Sequence, residues 1–244
     1  MKNIGLIGCG NIAETYFRAQ EYFNNINFVA CADINLDAAK KTADQYNIIP
    51  LSVDEILNDK NVDIILNLTI PQAHYEISKR ALEANKHVYC EKPMSVKFDE
   101  AKELLNLAKK NSLYIGNAPD TFLGGGGQLT RNLIDNNDIG QVLTGNFIFA
   151  FPGVQDFHPS PESWFQEGGG PVIDMGPYFF TTLVNLLGPV KNIRGRELNF
   201  LIKENTKLVQ KKEKLLMLKF QLLICLILSF KIKLSFKVSF HLMF

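Results

Sequence analysis

Gly8, Gly10 and Ala13 follow the short apolar run Asn3 to Ile7 with the spacing GxGxxA, and a carboxylate, Asp33, lies about 20 residues further on. Each residue type suits one physical task. Gly8 permits a tight turn, and Gly10 lets the backbone approach a bulky anion. Ala13 is small enough for a helix to pack closely on the strand. Asn11 and Ile12 stand where that helix opens, so its unbonded N–H groups and positive dipole end face outward, an arrangement that suits phosphates. Asp33 closes a second apolar run, Phe28 to Ala32, where its oxygens can accept hydrogen bonds from ribose hydroxyls. It would repel a 2′-phosphate, and no arginine follows it (Ile34, Asn35 and Leu36 come next), so NAD is favoured over NADP. The bland alternative is a glycine turn with a structural role alone.

Two further segments carry chemistry. Glu91-Lys92-Pro93 directly follows the run His87 to Cys90, and Thr69 to His74 follows Val62 to Leu68. A lysine at such a strand end would stand near a nicotinamide ring. Partial desolvation and the positive ring would lower its pKa, so that it could take a proton from a substrate hydroxyl. Read alone, Lys92 is equally a solvated lysine before a turn proline.

The elements that position these residues alternate in type. Strands are expected at Asn3 to Ile7, Phe28 to Ala32, Val62 to Leu68, His87 to Cys90 and Leu113 to Ile115. Helices are expected from Ile12 to near Asn24, then at Ala38 to Tyr46, Val53 to Leu57, Gln72 to Ala84 and Phe98 to Lys110. Strand–helix alternation of this kind predicts an α/β fold with a doubly wound parallel sheet, whose ligand crevice lies beyond the C-terminal strand ends.

Taken together, GLIGCGNIA at the start, Asp33, TIPQAHYE at 69–76 and HVYCEKPMS at 87–95 resemble the glucose–fructose oxidoreductase/inositol dehydrogenase/MocA family of NAD(P)-dependent dehydrogenases. Thr69, Pro71 and His74 match that family's TPN-x-x-H segment, with Gln72 in place of the usual asparagine, and Glu91, Lys92 and Pro93 match its EKP. The resemblance implies that Lys92 is catalytic and that the Lys92–Pro93 bond is cis. It implies that the strand-end residues from Gly8 through Pro93 hold the cofactor, and that the substrate is a sugar, a cyclitol or a derivative of one.

The resemblance extends to GGGPVIDMGPYFFTTLVNLLGPV at 168–190, the family's substrate-domain segment. Asp174 matches its aspartate, while Tyr178 stands where the family usually has histidine. Four residues apart on one helix near 174–187, both would face a substrate. Their plainer readings are a helix N-cap for Asp174 and a packing aromatic for Tyr178. The loop from His158 to Trp164 reads either as a wall of a sugar site or as a surface connection. Gly124 to Gly127, before a helix Gln128 to Asp135, reads as a close approach to a ligand or as a hinge.

This gives three regions: a Rossmann domain over 1–120, a partial α+β substrate domain with a mostly antiparallel sheet over 121–196, and an atypical tail over 197–244. Gln141 to Phe151 is the expected first strand of the second sheet. All 17 glycines and all 10 prolines lie before Arg196, and the tail from Glu197 contains neither, nor any Ala, Asp, Arg, Tyr or Trp. Folded segments need turn residues, so the expectation is a reading-frame change near Arg196. The apolar run Phe220 to Phe230, bracketed by Lys219 and Lys231, is too short for a membrane span. Lys231 to Phe240 alternates as a half-buried strand or an aggregation-prone edge. The family's usual homo-oligomer would suffer with the sheet, and the second functional reading is a non-catalytic NAD-binding fragment.

Composition excludes other classes. With 26 basic and 25 acidic residues the net charge is +1, which argues against nucleic acid or an anionic membrane as partner. Cys9, Cys31, Cys90 and Cys225 show no metal or redox spacing, so no metal is expected and the cysteines read as small buried hydrophobes. The N-terminus lacks the apolar stretch of a signal peptide, which predicts a cytoplasmic protein.

Overall fold

Strands that are apolar on both faces need cover on both sides, and the first half of the chain supplies it. The computed structural model describes residues 1–150, 169–202, 219–230 and 237–243, in two compact units, Met1–Pro119 and Asp120–Phe244.

The first unit is a six-stranded sheet of β1 (Lys2–Ile7), β2 (Ile26–Ala32), β3 (Ile49–Pro50), β4 (Ile64–Asn67), β5 (His87–Cys90) and β6 (Ile115–Asn117). Its order is β3-β2-β1-β4-β5-β6, and every pair is parallel. Helices α1 (Ala13–Ala19), α2 (Leu36–Tyr46), α3 (Val53–Asn58), α4 (Pro71–Glu83) and α5 (Phe98–Lys110) connect the strands. The strand alternation divides the core in two. Ile4, Leu6 and Leu66 pack with Ala13 and Phe17 of α1 and Ala43 of α2. Ile7, Ile65 and Val88 pack with Ile56 of α3, Leu82 of α4 and Leu104 of α5. Leu6, Ile7, Ile65, Leu82 and Leu104 are at most 1% exposed, and burial of each contributes about 1.5–3 kcal/mol. The doubly wound parallel sheet expected from the sequence is therefore present.

Several boundaries differ from expectation, and one strand, β3, was not expected at all. Helix α1 stops at Ala19 because the amides of Gln20, Glu21 and Tyr22 bond carbonyls three residues back, which tightens the chain into turns. Strand β6 starts at Ile115 because Ser112 adopts positive φ and the Leu113 amide caps α5 at Ala108 O. Strand β3 has two residues, one of them proline, too few for any periodic signal.

In the second unit a 3₁₀ turn (Thr121–Leu123) precedes α6 (Gly125–Asp135) and β7 (Thr144–Ala150). Beyond 168 come α7 (Pro171–Asp174), α8 (Gly176–Leu187), β8 (Val190–Ile202), β9 (Lys219–Phe230) and β10 (Lys237–Met243). The sheet order is β7-β10-β9-β8; β9 is antiparallel to both neighbours, while β10 runs parallel to β7. Three stretches of the atypical tail thus form strands, namely the end of β8 from Glu197, all of β9, and β10, which includes Lys237 to Phe240 of the alternating segment; Lys231 to Phe236 lies outside the described residues. No helix among the described residues is long and apolar enough to cross a membrane.

Candidate functional site

The strand order reverses direction between β1 and β4, and the loops that leave these strands meet there. Gly8 has φ +104°, and a Cβ on it would lie 2.6 Å from the carbonyl carbon and oxygen of Leu68. Glycine is demanded twice, by conformation and by the backbone passing over it. Nothing lies within 4 Å of where a Cβ on Gly10 would stand, and Gly10, Asn11 and Ile12 are exposed. Ala13 is buried against the sheet. Helix α1 has no side-chain N-cap; the Ala13 and Thr15 amides turn back to the carbonyls of Gly10 and Ile12, each at 3.1 Å. The open cradle at Gly10 suits a group that approaches main chain closely, as a pyrophosphate does.

Asp33 braces this loop. Its Oδ2 accepts from the Cys9 amide at 2.7 Å and its Oδ1 from the Asn35 amide at 2.8 Å. An ionised carboxylate oxygen accepts more than one hydrogen bond, so these two leave acceptor capacity for ribose hydroxyls. Asn35 in turn caps α2 through the amides of Asp37 and Ala38. Beneath the loop the Cys9 thiol, hydrogen-bonded by Cys31, is held below the usual thiol range. Cys31 is pushed well above it by that same contact and by burial. Burial likewise pushes Cys90 up to about 12.

The loop after β4 is organised by a residue that the sequence reading passed over. Asn67, buried at the end of β4, donates to His74 O and Ser78 Oγ at 3.0 Å each, and it accepts from the Thr69 hydroxyl at 2.7 Å. Its signal was an amide inside an otherwise apolar strand. Pro71 occupies the first turn of α4, where its missing N–H costs nothing. His74 is 1% exposed. Its Nδ1 lies 2.6 Å from Pro93 O and its Nε2 2.8 Å from Thr69 O. The ring therefore spans two strand-end loops and is gripped by main chain at both nitrogens.

The segment Glu91-Lys92-Pro93 is pinned from several sides. The Glu91 amide donates to Asn67 O at 2.9 Å, and Asn117 Nδ2 donates to the carbonyls of Cys90 and Glu91, each at 2.9 Å. Glu91 Oε1 accepts from the Tyr16 hydroxyl at 2.7 Å and Oε2 from the Lys92 amide at 3.0 Å. The Lys92–Pro93 peptide is cis, as the resemblance implied, and Lys92 is half-buried. Gly8 to Ala13, Asp33, Thr69 to His74 and Glu91 to Pro93 thus all sit at or just beyond the C-terminal ends of β1, β2, β4 and β5. Tyr16 and Asn117 were not foreseen as members of this group.

In the second unit the expected single helix over 174–187 is two. Asp174 ends α7, Met175 is the N-cap of α8, and Tyr178 lies in the first turn of α8. Pro177 explains the break, since it offers no amide to a preceding turn and disfavours helical geometry before it. The Tyr178 amide bonds Met175 O at 3.2 Å rather than Asp174 O. Asp174 and Tyr178 are half-buried on separate helices, and Asp174 does not cap α8. Gly124 to Gly127 are the N-cap and first turn of α6. The loop from His158 to Trp164 lies outside the described residues. Among the described residues no cluster of His, Cys, Asp or Glu could hold a metal ion.

The family described as "Oxidoreductase family, NAD-binding Rossmann fold" matches residues 2–117, and the GFO/IDH/MocA C-terminal domain matches residues 128–206. An uncharacterised oxidoreductase of Schizosaccharomyces pombe is 33% identical over 152 residues, covering 61% of this chain and 40% of its own length. The inositol 2-dehydrogenase of Salmonella typhimurium is 30% identical over 146 residues, covering 57% and 43%. The chain therefore spans about two fifths of the length of these relatives. The crystal structure of the WlbA dehydrogenase of Bordetella pertussis, solved with NADH and UDP-GlcNAcA, superposes with a TM-score of 0.81 at 17% identity, covering 99% of this chain and 70% of that one. At that identity the likeness concerns the fold.

Proposed function

Because the chain belongs to the GFO/IDH/MocA oxidoreductase family, we propose that it acts as an NAD-dependent dehydrogenase, oxidising a hydroxyl-bearing carbon of a sugar or cyclitol. The observation that carries this reading is the placement of the Gly8–Gly10 cradle, the Asp33 carboxylate and Lys92 all at the C-terminal strand ends of the parallel sheet. Amides of Gly10, Asn11 and Ile12 would hold the pyrophosphate, and Asp33 the adenosine ribose. His74 contributes at one remove, by tying the Thr69 and Pro93 loops together.

A nicotinamide dinucleotide bound there supplies the hydride acceptor. Lys92 takes the proton that leaves the substrate hydroxyl as the carbonyl forms, and passes it to solvent; in the reverse direction it returns that proton to the new hydroxyl. The carboxylate of Asp174 and the phenol of Tyr178 are assigned to substrate hydroxyls. Asp33, acceptor-only when ionised, favours two ribose hydroxyls over a 2′-phosphate, so NAD should bind more tightly than NADP. The inositol 2-dehydrogenase relative supports a polyol substrate.

The test is titration with NAD and NADP alongside nicotinamide reduction with a panel of pentoses, hexoses and inositols. Lys92→Met is expected to abolish turnover while leaving NAD affinity within about twofold, a change confined to the chemical step. Retained turnover would remove Lys92 from its role. The short span relative to the curated relatives favours one second reading, an NAD-binding fragment without activity. Tight NAD binding with no turnover across the panel would select it.

A further inference from the structure

The helical period of α1 places Tyr16 beside Phe17 on the side that packs toward the sheet, and packing alone asks for no more than an aromatic ring there. The Tyr16 ring meets Tyr89 of β5 edge-on, with centroids 6.4 Å apart and planes at 65°. The hydroxyl does something a phenylalanine could not. It donates to Glu91 Oε1 at 2.7 Å, and the other oxygen of that carboxylate accepts the Lys92 amide at 3.0 Å. One carboxylate thus connects the helix that starts behind the glycine loop to the main chain of the lysine. A hydroxyl donating to a carboxylate is stronger and more directional than a neutral pair, and here the geometry is half-buried.

We infer that Tyr16 is a positioning residue for Lys92. It orients the Glu91 carboxylate, which fixes the Lys92 backbone and hence the point from which the amine reaches the substrate. This rests on the role of Lys92 proposed above. Asn117 and Asn67 hold the carbonyl and amide of Glu91 whatever Tyr16 does. Loss of the hydroxyl should therefore loosen the side-chain clamp and leave the strand end in place.

The experiment compares Tyr16→Phe with the unaltered chain in two ways. Hydrogen–deuterium exchange is read at the Lys92 amide with NAD bound, and kcat and KM are measured on the sugar or inositol of the panel that turns over best. The phenylalanine ring preserves the contact with Tyr89, so NAD affinity should stay within about twofold. The Lys92 amide should exchange about tenfold faster, and kcat should fall between about 10- and 100-fold with KM nearly unchanged, as for a small displacement of a reacting group. Adding Glu91→Gln to Tyr16→Phe should cost little beyond either alone, because both break one clamp. Unchanged exchange at Lys92 overturns the inference even if the chain proves to have no turnover. Unchanged kcat overturns it where turnover exists. Lys92→Met that retains activity sinks the proposed chemistry instead, so the two failures are distinguishable.

Discussion

Helices α1 and α6 both open on glycines, and the longer glycine run belongs to the helix without a strand-end acid. Ahead of α1, Gly8 is required by positive φ and by the Leu68 carbonyl, and Gly10 faces open space. In the first turn of α6, Gly127 is required because a Cβ there would collide with the carbonyl of Phe122 in the preceding turn, while Gly125 and Gly126 meet nothing. The α1 loop is held from outside by Asp33, 24 positions from Cys9. The α6 start is held locally, by Gln128 donating through its amide to Gly124 O and through its side chain to Leu123 O. Glycine content alone therefore does not separate the two helix starts. A buried strand before the turn and an acid at the end of the next strand do.

Substitutions that fill the glycines test this contrast. Gly8→Ala should have the largest effect, about 2–5 kcal/mol of lost stability by urea unfolding, with NAD binding abolished, because strain and a backbone collision combine. Gly10→Ala should leave the unfolding midpoint nearly unchanged and weaken NAD binding about tenfold or more, since the added methyl enters space assigned to the pyrophosphate. Gly126→Ala, in equally open space within α6, should do the opposite: it stabilises by about 0.5–1 kcal/mol through helix propensity and leaves NAD affinity alone. If Gly10→Ala and Gly126→Ala behave alike, the functional distinction between the two helix starts fails.

Helix α3 gives the smallest expected effect and a third kind of start. Ser52 and Glu55 form a reciprocal capping box. The Ser52 hydroxyl and amide hold Glu55 below its ordinary value of 4.5. A carboxyl lowered in the folded state adds stability above its unfolded pKa, and that stability is lost as pH falls through the folded value. Ser52→Ala should therefore lower the urea midpoint slightly at neutral pH, and the difference should shrink under acid conditions.

The residues legible in the sequence were those whose identity is forced by something local. Gly8 answers a turn, Asp33 ends a strand, and Glu91-Lys92-Pro93 follows one directly. The break at Met175 was missed, although Pro177 inside the expected helix marks it. The role of Tyr16 was not legible. Its position on the helix is periodic, but its partner is 75 residues away, and no spacing rule specifies a hydrogen bond across that distance. Asn117 was hidden for a related reason, because the turn at Ser112 moved the start of β6 to Ile115, the last residue expected to form it. Asn67 gave a weaker signal, a lone amide in an apolar run, and its partners depended on how α4 lies over β4.

One of the two outermost strands of the parallel sheet is β3, and it is two residues long. Pro50 is one of them, so this margin is short and one of its residues has no backbone N–H to offer a further strand. An extended peptide, or the same margin of another copy, would find too little exposed main chain to lengthen the sheet. The strand that escaped notice in the sequence thus works as a terminus, guarding the nucleotide-binding half of the chain against fibril-like growth from that side.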